Sequence, residues 1–318
     1  MTEETHVFLT CVRSPDDLPL ARLLIESLRD FGGELARSEF WVFATRPGRE
    51  DGGSLAAPGV RVVPLSVPEH AERWPYGDKA LACAEAERMS SADVRSLIWL
   101  DLECLIVQPP ALLALDAGHG AALRPVHIRN IGSPAGEPPD AFWRGVFEAV
   151  GVADVATTVR TFIGGESVRA YYNSHCFAVR PDLGLFTRWS NLYQGLIGDE
   201  RFVRDACTDI RHPIFLFQAV FSTIVAVSVP SERVRILPPT YNYPYNLHRQ
   251  VPPADRAAVL NDLVCFTFEG RDLRPGAIRD IGVREPLRSW LAERAELLAS
   301  AAPTFGSSDS EETLHGSK

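Results

Sequence analysis

RSLIWLDLECLIVQPP, residues 95–110, sets two acids inside an otherwise apolar run. Leu97, Ile98, Trp99 and Leu100 run into Asp101; Leu102 and Glu103 follow, and then the apolar Cys104, Leu105, Ile106 and Val107. A short continuous apolar run predicts a strand buried on both faces of a sheet. If the chain stays extended, Asp101 and Glu103 at i and i+2 point to the same side and form an anionic pair where the strand ends. A buried unpaired carboxylate costs roughly several kcal/mol, so the pair needs a cation or a set of donors. A divalent metal bridging to a phosphorylated ligand meets that need. The alternative is a strand that stops at Leu100, leaving two solvated loop acids.

Working outward, a strand at 6–12, an amphipathic helix at 18–31 stopped by Gly32 and Gly33, and strands at 40–44 and 60–65 alternate ahead of this stretch. Such alternation predicts an α/β fold with a mostly parallel central sheet and helices on both faces. Ligands of these sheets bind beyond the carboxyl ends of the strands, which puts residues 10–14, Asp101 and Glu103 on one rim. Neither G-x-G-x-x-G after the first strand nor G-x-x-x-x-G-K-[ST] occurs, which argues against a nicotinamide dehydrogenase or a P-loop hydrolase.

The chain has 318 residues and a formal net charge of −9, a balance that disfavours nucleic acid and anionic membranes as partners. Its only lysines are Lys79 and Lys318, so Lys79 stands out. It falls in the first turn of a helix predicted over 78–89, where the helix dipole opposes a cation. An anionic partner, a phosphate or the Asp101/Glu103 pair, would explain it; an ordinary exposed lysine is the alternative. The six cysteines show no C-x-x-C spacing and read as reduced thiols. An acidic start, MTEETHVFLTCV, and the lack of a long uninterrupted apolar run give a cytoplasmic protein without a membrane span as the expectation.

Residues 1–302 are expected to form one domain, with 303–318 as a disordered tail. Within it, 127–170 departs from the alternation through GSPAGEPPD and a helix near 141–150, and is the candidate lid or acceptor-recognition insertion, a plain surface insertion being the alternative. A strand is expected in YYNSHCFAVRP (171–181), a helix over 183–197, another strand in LVCFTFEG (263–270) and a last helix over 286–301. Gln218 stands in the apolar run 212–229, where a buried amide must find partners in a ligand or a neighbouring backbone.

Taken in order, LIWLDLEC, WPYGDKALACAEAERM, YYNSHCFAVRP, LFQAVFSTIV and LPPTYNY resemble the nucleotide-sugar glycosyltransferases of the GT-A fold, and among them the glycogenin-like family 8 group. The likeness runs over roughly residues 6–275. It implies glycosyl transfer from a nucleoside diphosphate sugar, a UDP-sugar, to an acceptor it leaves unidentified. Asp101 and Glu103 would hold Mn²⁺ or Mg²⁺ against the diphosphate as a D-x-E form of the family's D-x-D. Lys79 and Arg274 would add positive charge, Thr10, Cys11 and Val12 would contact the nucleoside, and Asn173, Ser174, His175 and Gln218 would line the sugar pocket. Family 8 resemblance implies a retaining reaction, whereas inversion would need a carboxylate base near the acceptor.

The departures are specific. Glu103 replaces the second aspartate, His175 stands where a glycine is expected, Thr267 occupies the position of a metal-binding histidine, and Arg274 and Pro275 come one residue late for the family's Lys-Pro. Glu269 and His175 are the remaining candidates for a third metal ligand. A nucleotide-sugar-binding protein without turnover is the second reading, and a nucleotidyltransferase, disfavoured by the missing basic phosphate loop, the third.

Overall fold

The computed structural model describes residues 5–45 and 52–300; the expected tail, 303–318, and residues 46–51 of the Gly/Pro-rich loop lie outside them. Four strands of the first hundred residues, β1 (Thr5–Val12), β2 (Glu39–Ala44), β3 (Val60–Pro64) and β4 (Val94–Leu100), are joined by parallel ladders. With β6 (Ala121–Pro125), β9 (Tyr172–Val179) and β10 (Val234–Ile236) they form one seven-stranded sheet, order β10-β6-β9-β4-β1-β2-β3. Only β9 runs antiparallel to its neighbours, β4 and β6. The chain moves outward from β1 through β2 to β3, then returns to place β4 on the other side of β1. The crevice at the carboxyl ends of β1 and β4 is therefore the topological switch point, where ligands of such sheets bind.

Strand alternation explains the two apolar layers. Val7, Leu9, Leu97 and Trp99 face one core and Phe8, Ile98 and Leu100 the other, so both sides of the central strands are buried. The second layer holds α1 (Leu18–Phe31), which ends ahead of Gly33 at φ +59°, a conformation that suits glycine; a Cβ there would also come within 2.9 Å of Pro109. The first layer holds α3 (Gly77–Met89), preceded by the short α2 (Glu69–Glu72), together with α5 (Leu185–Gly198) and α7 (Arg211–Ser228). There Phe177, Trp189 and Phe221 stack with ring centroids 4.8 Å apart for two of the pairs. Among the described helices, α7 is long and apolar enough to cross a membrane by length and composition, but 61% of it is buried inside the molecule, as a core helix requires.

Part of the insertion joins the core. Its helix α4 (Ala141–Val150) is N-capped by Asp140 and buries Phe142, Trp143 and Phe147 against α7. Gly145 lets Phe202 of α6 (Glu200–Asp205) approach, since a Cβ there would lie 2.5 Å from the ring. Gly145→Val is accordingly expected to cost about 1–3 kcal/mol in chemical denaturation. The insertion ends in the antiparallel hairpin of β7 (Thr158–Arg160) and β8 (Ser167–Arg169).

Two expectations are revised. The last helix is two pieces, α8 (Leu287–Glu293) and α9 (Ala295–Ser300), broken at Arg294, whose guanidinium leaves the helix direction to pair with Glu26 and Asp30 on α1. The strand expected over 263–270 shortens to β12 (Cys265–Thr267), which joins β5 (Cys104–Ile106) and β11 (Tyr243–Pro244) in a separate small sheet beneath the rim. Its pairing with β5 joins segments more than a hundred residues apart, which local pattern does not show.

Candidate active site

The strand β4 ends at Leu100, and the chain turns at once, with Cys104 N–H donating to the Asp101 carbonyl at 2.9 Å. The turn breaks the alternation that would have aimed both acids together, and their carboxylates bond different partners. Asp101, its side chain 17% exposed, receives Lys79 Nζ at 2.6 Å on Oδ1 and 2.8 Å on Oδ2, with Trp99 Nε1 at 2.6 Å on Oδ1. Glu103 Oε1 accepts the Gly270 N–H at 2.7 Å, fastening the loop after β12. Burial alone would raise the Asp101 carboxyl, but Lys79 and then His175 outweigh it and hold the group below the usual carboxylate range.

Lys79 is wholly buried. Its ammonium also lies 5.1–5.3 Å from the ring centroids of Tyr76, Trp99 and Phe217, in a cage whose entry is set by Tyr76 at φ +60° ahead of α3. Of the two partners expected for this cation, the structure supplies the carboxylate; the ammonium does not reach the open rim.

A bulge aims the next group. Ala122 of β6 faces Ala178 of β9 but Arg124 faces Asn173, so a step of two residues on β6 is matched by a step of five on β9. The surplus turns His175 out between two acids: Nδ1 lies 3.4 Å from Asp101 Oδ2 and Nε2 lies 3.5 Å from Glu269 Oε1, both too long for good hydrogen bonds. The bulge is pinned by Asn173, whose Oδ1 accepts the His175 N–H at 2.9 Å and Asn242 Nδ2 at 2.6 Å. Ser174 points to the opposite core, its hydroxyl donating to Gln218 Oε1 at 2.9 Å. Glu269, at φ +38°, accepts Asn246 Nδ2 on Oε2.

The remaining expected residues are placed as follows. Thr10, Cys11 and Val12 are buried at the end of β1, so their side chains are not open to a nucleoside. Cys11 Sγ instead lies 3.4 Å from Asp78 Oδ2, and the partly exposed Arg13 pairs with that carboxylate at 2.5 Å. Arg274 is an outer loop residue paired with Asp272 at 2.6 Å. Thr267 is buried in β12, away from solvent. The sequence assigns no role to Trp99 or Asn246; Arg13 falls within the rim segment 10–14 and Asn242 within LPPTYNY, neither with a role of its own.

A divalent ion does not fit these side chains as arranged. Among the described residues no three His, Cys, Asp or Glu groups converge to hold one, and Lys79 and Trp99 already occupy the Asp101 oxygens. What the site offers is an imidazole held between two carboxylates at the switch-point crevice, backed by amides on one side and a buried lysine on the other.

No family model matches the sequence, and no curated protein matches it. Solved structures do match. The galactosyltransferase LgtC, in complex with donor and acceptor sugar analogues, is 12% identical, with 92% of this chain and 95% of that chain covered at a TM-score of 0.50. Mouse xyloside xylosyltransferase 1 in its apo form is 13% identical over 84% of this chain and 98% of that one, at a TM-score of 0.42. By the likeness to LgtC and by its own mixed seven-stranded sheet, the chain has the GT-A fold of glycosyltransferases.

Proposed function

We propose that the protein transfers a sugar from a nucleoside diphosphate sugar, a UDP-sugar, to an acceptor at the crevice between β1 and β4. The observation that carries the reading is the cluster of His175, Asp101 and Glu269 at the switch point of a GT-A sheet. Side chains so arranged do not serve packing, since His175 satisfies neither carboxylate with a good hydrogen bond and its buried Nδ1 has no hydrogen-bond partner among the described residues. In this reading the nucleoside lies over the ends of β1 and β2, and Arg13, at the open end of β1, meets the diphosphate. The sugar lies over Asn173 and His175, whose fixed positions orient the anomeric carbon. Gln218 and Ser174 hold the floor of that pocket from behind. Lys79 keeps Asp101 ionised and in place, a positioning role.

The direct test is a thermal-shift screen of nucleoside diphosphate sugars with and without Mn²⁺. A specific donor at 100 times its dissociation constant stabilises by about 2.7 kcal/mol, a shift of several degrees. Flat melting curves with every donor, in both arms, would remove the reading. A shift confined to the Mn²⁺ arm would show that donor and metal rearrange the carboxylates together. Hydrolysis of the bound donor distinguishes an enzyme from a binding protein of the same fold.

A further inference from the structure

Arg124 is the last residue but one of β6, in the apolar segment AALRP, and is 3% exposed, yet among the described residues its Nε and Nη2 have no hydrogen-bond partner. Its guanidinium carbon lies 4.2 Å from the centroid of the Phe162 ring, which holds the fork flat. Elsewhere in this molecule the same edge of arginine grips carboxylates. Arg169 binds Asp154 through Nε and Nη2 at 2.5 and 3.0 Å, and Arg180 binds Asp182 at 2.9 and 2.6 Å. Arg124 presents that fork with nothing in it.

The surroundings are built to the same end. His127 is 6% exposed, neither of its ring nitrogens has a partner among the described residues, and it stands edge-on to the same Phe162 ring. Arg124 is the register partner of Asn173, so the two side chains leave the same face of the sheet. Asn242 Oδ1, on the amide that bonds Asn173 through Nδ2, is a further buried atom without a partner among the described residues. Leaving a buried guanidinium unmatched raises the free energy of the ligand-free protein. Resting on the transferase reading, we propose that Arg124 and His127 form a subsite for the carboxylate of an acidic sugar, a uronic acid carried by the donor or by the acceptor.

The charge supports a monoanion over a phosphate dianion. Burial lowers Arg124 only to about 10, so it stays cationic at neutral pH, while burial and then Arg124 push His127 well below its ordinary value and leave it neutral. One positive charge with a neutral donor and acceptor beside it matches a carboxylate flanked by hydroxyls. The loop of the β7/β8 hairpin is tied to the segment that carries Arg124 and His127, by Phe162 N–H to the Val126 carbonyl at 3.0 Å and Ile163 N–H to the His127 carbonyl at 2.8 Å.

The test compares acid and neutral ligands by calorimetry on the full chain. UDP-glucuronate against UDP-glucose forms the donor arm; methyl glucuronoside against methyl glucoside, each with UDP present, forms the acceptor arm. In one arm the acid is expected to bind at least about tenfold tighter, and Arg124→Met should abolish the difference. Arg124→Lys, which keeps the charge without the fork, should lose most of it. Arg124→Met should also raise the melting temperature of the ligand-free protein, whereas a residue serving structure alone would lower it. Equal affinities in both arms would overturn the subsite and leave the transferase reading standing; no binding by any nucleotide sugar would overturn both.

Discussion

Asp101→Asn is expected to lower the free energy of unfolding by about 3–5 kcal/mol, because it strands a buried charge. The Lys79 ammonium is 0% exposed, and Asp101 is its ion-pair partner, at 2.6 Å. Without the carboxylate's charge the ammonium keeps neutral neighbours: the amide oxygen of the new side chain, the Ser174 carbonyl at 3.3 Å and the three aromatic faces. Adding Lys79→Met removes the stranded charge, so the double variant is expected to recover most of the loss, as urea denaturation of the two variants would show. If Asp101→Asn alone unfolds at the wild-type midpoint, Lys79 does not depend on that carboxylate.

The same pair sets a pH dependence. The folded Asp101 carboxyl titrates below its unfolded value, so its contribution is fully present above about pH 4 and is lost as the pH falls through the lower, folded value. The wild type should therefore lose stability relative to the double variant on going from pH 7 to pH 3. Loss of activity in Asp101→Asn at neutral pH must be compared with that of the double variant, since damage to folding and to chemistry coincide in the single one.

Asn242→Ala is expected to cost about 2–4 kcal/mol and to reduce turnover by about 10- to 100-fold in the fraction that folds. The residue is fully buried at φ +48°, where asparagine is tolerated and alanine is strained. Its Nδ2 bonds the Asn173 oxygen that also takes the His175 N–H, and its own N–H lies 3.2 Å from Cys265 Sγ. One side chain thus ties the small sheet to the bulge that aims the imidazole. Asn242→Gly relieves the strain without restoring the tie, so it should recover part of the stability and little of the turnover. Recovery of both by glycine would show that the side-chain bond does not position His175.

The residues of the site were unevenly legible. Asp101 and Lys79 could be singled out because each violates a local rule: an acid ending a buried strand, and a lone cation in a helix's first turn. That they answer each other follows from α3 packing beside β4. Glu103 was paired with Asp101 on strand geometry, and a turn of the chain separated their partners. Arg124 and Asn242 left little local trace, since an arginine at a strand end and an asparagine after two prolines are ordinary until their neighbours are known.

The α/β alternation, a mostly parallel sheet and the rim on which Asp101 falls are legible in the chain's local pattern, because apolar periodicity and turn residues act within a few positions of themselves. Only the tertiary structure decided that β9 enters antiparallel with a bulge, that a second sheet underlies the rim, and that an unfilled guanidinium fork faces the same side as Asn173. Those depend on which distant segments share a core, and the free energy of that choice comes from burial and hydrogen bonding between residues up to about 160 positions apart, as between Cys104 and Thr267.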